Sequence, residues 1–179
     1  MTRTTTTHRT HRRTWAALAA GVALAVAGCS ASASAEGGDE PAAIATYAGA
    51  EVAFGESFTY GNGLVVEVRK PVTFTPSETA DGVEGVDGTP VRLRVNVING
   101  SSQDFVPDGI GVTLESGGEE APQILDPGQR IELTGPQRTL TRGDVAAFDL
   151  AFVVADPDDL TVTLVPALAG YDPLVVTAP

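Results

Sequence analysis

Cys29 is the only cysteine among the 179 residues, and the residue types around it decide what its sulfur can do. It is preceded by an aliphatic side chain, Val26, and two small ones, Ala27 and Gly28, at the end of an uncharged run that begins at Trp15. Small residues beside a scissile bond at the end of such a run are what a leader-cleaving peptidase needs. These features predict a cleavable leader that ends near Gly28. Nucleophilic catalysis by the same thiol would require a base, and both histidines, His8 and His11, lie upstream in the part that cleavage removes.

The elements around this cysteine agree with that chemistry. Residues 1–13 are threonine-rich and basic, with Arg3, Arg9, Arg12 and Arg13. As a helix, the 14 uncharged residues Trp15 to Gly28 would be about 21 Å long, against roughly 30 Å of bilayer hydrocarbon. That is short for a stable span and suits the apolar region of a signal peptide. The set Val26, Ala27, Gly28, Cys29 resembles the lipobox of bacterial lipoproteins, which implies a diacylglycerol on Cys29 and residence at the extracytoplasmic face of the cell membrane. Buried acyl chains contribute about 0.8 kcal/mol per methylene, and two chains hold where one holds only marginally. Arg12-Arg13 reads as an ordinary basic leader rather than a twin-arginine signal, because Thr14-Trp15-Ala16 fits the usual flank poorly.

Removing a 28-residue leader with four arginines and no acid leaves seven basic residues against all 23 acidic ones, a formal net charge of −16. Such a surface repels nucleic-acid phosphate and anionic lipid, so nucleic-acid binding is excluded and membrane residence must come from the lipid. The mature chain has neither histidine nor tryptophan, and its one cysteine permits no internal disulfide. Cohesion must come from hydrophobic burial, and no cofactor is expected.

Three segments follow: a signal peptide at 1–28, the modified cysteine and a flexible acidic and Ala/Ser-rich linker at 29–51, and a folded body at 52–179. As a random coil the linker, about 21 residues, spans roughly 25 Å. In the body the hydrophobic period becomes two. Val91, Leu93, Val95 and Val97 alternate with polar residues, as do Leu64, Val66 and Val68, then Phe148, Leu150, Phe152 and Val154, then Leu160, Val162 and Leu164. Ser57 to Tyr60 precedes a Gly-Asn-Gly turn, and Leu174 to Thr177 closes the chain. Shorter strands are expected at 72–75, 110–114, 123–125 and 130–133. Short strands between Gly, Pro and Asp turns, with no amphipathic helix, predict an all-β, two-sheet antiparallel sandwich.

Gly63-Leu64-Val65-Val66-Glu67-Val68 with Pro71, Val95-Asn96-Val97-Ile98-Asn99-Gly100-Ser101, and Leu140 and Gly143 before Phe148-Asp149-Leu150-Ala151-Phe152 resemble the telokin-like family. These are immunoglobulin-type bacterial proteins, secreted or lipid-anchored, several of them domains of unknown function. The resemblance, over residues 55–179, implies an immunoglobulin-like fold and brings no catalytic residue with it.

Other chemistry is thinly supported. A serine activated by lysine would have to use Lys70, which reads as a solvated charge at a strand end. Paired carboxylates are abundant, but no motif gathers them beside the aromatic platforms a sugar cleft uses. Asp156, Asp158 and Asp159 in one turn are weak calcium candidates, and Glu78, Asp81, Glu84 and Asp87 are weaker, since neither set follows the DxDxDG register. Arg142-Gly143-Asp144 and Asn99-Gly100-Ser101 read as turns rather than as an adhesion tripeptide and a glycosylation site. The expected protein is not an enzyme. It is a lipid-anchored binding or protein-interaction domain whose partner is an envelope protein or small ligand; the alternatives are a structural or accessory subunit of an envelope assembly, or a small-solute or calcium-binding lipoprotein.

Overall fold

The computed structural model describes residues 46–167 and 170–179. The expected leader, with Val26, Ala27, Gly28 and Cys29, lies outside the described residues. Two sheets face each other. One runs β1 (Glu51–Ala53), β11 (Leu174–Thr177), β10 (Leu160–Val165), β6 (Gly111–Ser116), β7 (Glu119–Glu120). The other runs β2 (Ser57–Thr59), β3 (Leu64–Val68), β5 (Thr89–Asn99), β9 (Val145–Val154), β8 (Gln123–Ile124), with β4 (Val72–Thr73) also paired to β5. All pairings are antiparallel except β1 with β11. This is the two-sheet sandwich the alternation predicts, with the immunoglobulin-like character that the resemblance implies.

The spine is β5 against β9, in register from Thr89↔Val154 to Ile98↔Val145. Val91, Leu93, Val95 and Val97 point into the sandwich and are essentially inaccessible, as are Leu64, Val66, Leu114, Val162, Leu164 and Leu174 from neighbouring strands. Each such side chain contributes about 1.5–3 kcal/mol on burial. At one end Gly63 and Gly100 lie so close that a Cβ on Gly100 would sit 2.4 Å from the Gly63 carbonyl oxygen. That contact requires glycine there.

Two expectations need correction. Residues 130–133 form no strand: Ile131 makes only an isolated bridge to Asp126, because Arg130 takes the left-handed conformation (φ 59°) and turns the chain back. The folded body also starts before residue 52. Tyr47 bridges Tyr171, the Ala50 carbonyl accepts from the Val175 amide, and Glu51 pairs with Val175. This segment is held by main-chain bonds and one aromatic ring, so its composition looks like linker. Strands β1 and β7 are likewise invisible to alternation, being three and two residues long.

The larger sheet has two different outer regions. At one end Ala151 and Val153 of β9 face outward by alternation yet are buried, because Ile124, Ile131, Phe74, Ala80 and Val83 cover them as a second small core. Elsewhere the face is open: Ile98 and Val145, opposite each other in the ladder, are 41% and 53% exposed.

Candidate functional site

The open part of that face contains a cleft of about 180 Å³ lined by Arg69, Lys70, Val72, Arg92, Arg94 and Asp149. Its origin is local. Val68 pairs with Val95 and Val72 with Arg92, so the three residues Arg69, Lys70 and Pro71 oppose only two on β5, Leu93 and Arg94. One extra residue makes a bulge, which re-aims side chains and interrupts the ladder. Pro71, buried and lacking an N–H, cannot repair that interruption. The Arg69 amide still donates to the Arg94 carbonyl at 2.9 Å, which fixes the near wall. Arg92 and Arg94, two apart on β5, share the outward face and form the floor.

Four of the seven basic residues after position 28 thus meet in one cleft of a strongly acidic chain. Arg94 Nη1 lies 3.3 Å from both carboxylate oxygens of Asp149, and Arg69 Nε lies 3.1 Å from Glu67 Oε1. Both are exposed pairs of the kind worth 0 to about 1 kcal/mol. Among the described residues Arg92 and Lys70 make no ion pair. Lys70, expected as a solvated strand-end charge, is indeed exposed at the end of β3, but it is one member of a group that sequence separation concealed.

The acidic candidates are occupied otherwise. Asp156 Oδ1 accepts the Asp158 amide, and the Asp156 main chain exchanges hydrogen bonds with the Ser116 hydroxyl, so this carboxylate shapes its own turn. Asp81 accepts from the Gly82 amide and its main chain bridges Leu125. Among the described residues no three of the Asp and Glu side chains, Asp156, Asp158 and Asp159 included, converge as a metal-holding group.

The two tripeptides are turns. Asp144 accepts from the Thr141 amide and hydroxyl, which hold its carboxyl below the usual range, while Gly143 has φ 92°. Asn99 is fully buried: its amide donates to the Gln103 and Leu140 carbonyls, and its oxygen accepts from the Ser101 amide and hydroxyl. A side chain so enclosed and so fully bonded is a structural knot.

One charged residue escaped notice in the sequence. Asp126 is completely buried, and its carboxylate accepts from the Ser77 amide and hydroxyl and from the Gln129 amide and side chain. Burial pushes its carboxyl up, but those hydrogen bonds outweigh it and hold it below the ordinary value. Asp126-Pro127 opening a turn was the available signal, since aspartate caps such turns. Its partner Ser77, 49 positions away, had no signal.

The three tyrosines cluster beside the N-terminal entry. Tyr60 packs edge-on against Tyr171, which meets Tyr47 at 5.3 Å. Burial, with Tyr171 and Asp172 nearby, pushes the Tyr60 hydroxyl up to about 12, and it donates to the Asp172 carbonyl. Burial also raises Tyr171, although Asn62 donates to its oxygen. A general acid or base works best with a pKa near the operating pH. These tyrosines move up from 10, and the shifted carboxyls Asp126 and Asp144 move down from 4. The cleft gathers Arg69, Lys70, Arg92 and Arg94, a set of cations that can hold an anion.

No protein-family model and no curated protein matches the chain. Among solved structures it is similar to the yjhA protein from Bacillus subtilis, with a TM-score of 0.56 and 18% identity over 71% of this chain and 99% of that one. It is similar also to MPT63, a secreted protein from Mycobacterium tuberculosis, with a TM-score of 0.52 and 15% identity over 72% of this chain and 97% of that one. At these identities the likeness shows the β-sandwich fold alone.

Proposed function

We propose that this chain is a lipid-anchored protein of the extracytoplasmic membrane face, of telokin-like type, whose sandwich is a non-catalytic binding module. The observation that carries the binding role is the gathering of Arg69, Lys70, Arg92 and Arg94 on an open sheet face of an otherwise acidic domain. Like charges held together cost stability, and a fold keeps them at low cost only where solvent or a counter-charge reaches them. The anchor rests on Val26, Ala27, Gly28 and Cys29, and export is in keeping with the secreted nature of MPT63. Assembly by strand addition is the weaker reading. The edge strands β1, β7, β2 and β8 are each three residues or fewer, too short to template a partner strand.

Two measurements test the proposal. Labelled fatty acid should enter the wild-type chain in cells and not Cys29→Ala; equal labelling would end the anchoring claim. A photo-crosslinking residue at Ala147, on the open face beside Asp149, should capture an envelope component, whereas the same probe at Glu119 on edge strand β7 should not. Capture from the edge alone would overturn face binding in favour of the accessory-subunit reading.

A further inference from the structure

From the chemistry of the cleft, and resting on the binding role proposed above, we infer that its ligand is a phosphoryl group carried on a small alcohol or polyol. A carboxylate carries one charge and is satisfied by one guanidinium fork. Here two cations without ion-pair partners among the described residues, Arg92 and Lys70, line one small space together with Arg69 and Arg94. Arg69 and Arg94 each keep further N–H donors beyond their single carboxylate contact. This excess of positive charge and of donors over one carboxylate matches a phosphoryl group, with its higher charge and several acceptor oxygens.

Val72, 52% exposed on the same cleft, adds an apolar contact where the ester carbon would lie. The surroundings narrow the choice further. Charges more than about 8 Å apart are largely screened at physiological salt. The cleft therefore attracts locally, while a long polyanion laid across the domain would meet its acidic surface. A single phosphoryl group entering end-on avoids that repulsion. The higher charge and oxygen count are those of a phosphate monoester; a membrane phospholipid headgroup is a diester with one charge and two free oxygens, and the test separates the two sources.

The test uses the intact lipidated chain in phosphate-free non-ionic detergent micelles, followed by NMR of backbone amides. Glycerol phosphate should give saturable shifts at Lys70, Arg92 and Arg94, and malonate at equal ionic strength should bind at least about tenfold more weakly. The variant Lys70→Gln/Arg92→Gln should lose at least about tenfold in glycerol phosphate affinity with its melting temperature unchanged. Micelles doped with phosphatidylglycerol complete the comparison. The same shifts there would assign a diester lipid headgroup and overturn the argument from higher charge, and shifts with glycerol phosphate alone support a soluble phosphate monoester.

Malonate binding as tightly as glycerol phosphate would overturn the phosphoryl assignment and leave the binding role standing. So would the absence of saturable shifts with either anion while Ala147 still captures a partner. The absence of both shifts and capture would remove the binding role as well.

Discussion

The two polar groups built onto the outer side of the larger sheet answer the same problem in opposite ways. Asp126 is a single buried charge surrounded by donors from its own chain. The cleft is four clustered cations with, among the described residues, only Glu67 and Asp149 paired to them. Burial makes an unsatisfied charge expensive, so the first must close upon itself. Exposure makes an unsatisfied charge cheap, so the second can stay open to a ligand. The difference separates a fastening from a face that can receive a ligand.

The sharpest way to break that contrast is Asp126→Ala. It strands the Ser77 and Gln129 donors and loosens the cover over Ala151 and Val153, and a drop in melting temperature on the order of 5 °C or more is expected. A drop no larger than that of the cleft variants would erase the distinction.

The pH dependence follows with its sign. The folded pKa of Asp126 lies below the unfolded value near 4, so its contribution is fully present above that value and fades as pH falls through it toward the lower folded pKa. Denaturant midpoints measured from pH 6 to pH 2 should fall less for Asp126→Ala than for wild type. Equal slopes would show that the carboxylate contributes nothing in that window.

Arg94→Ala should cost less than about 1 kcal/mol, as exposed ion pairs do, while weakening anion binding at the cleft. A larger loss in chemical denaturation would make Arg94 a fastening after all.

The smallest effect belongs to Arg130, whose left-handed backbone carries the chain from Asp126 back to Ile131. Arg130→Gly relieves that strain but adds freedom to the unfolded chain, leaving a net gain between a few tenths and about 1 kcal/mol. Destabilisation instead would mean that the Arg130 side chain holds the cover in place.

Much of this was legible one strand at a time. Alternation over Val91 to Val97 and Phe148 to Val154 marks both core strands, and their partnership is what the structure shows. The same alternation misleads at Ala151 and Val153, whose outward positions are covered by residues from two distant segments, 74–83 and 124–131. Turn chemistry correctly places Arg142-Gly143-Asp144, because an Asx or glycine turn is a local event. Asp126 with Ser77, and Lys70 with Arg92, are not local.

By itself the sequence determined the all-β class and the acidic, histidine-free composition of residues 29–179, since composition and period need no partner, and it raised the expectation of attachment at Cys29. Only the tertiary structure decided that Arg69 and Lys70 share a cleft with Arg92 and Arg94. The physical reason is the bulge before Pro71. One extra residue in β3–β4 sets which side chains face each other across the ladder, and no property of either segment alone specifies that register.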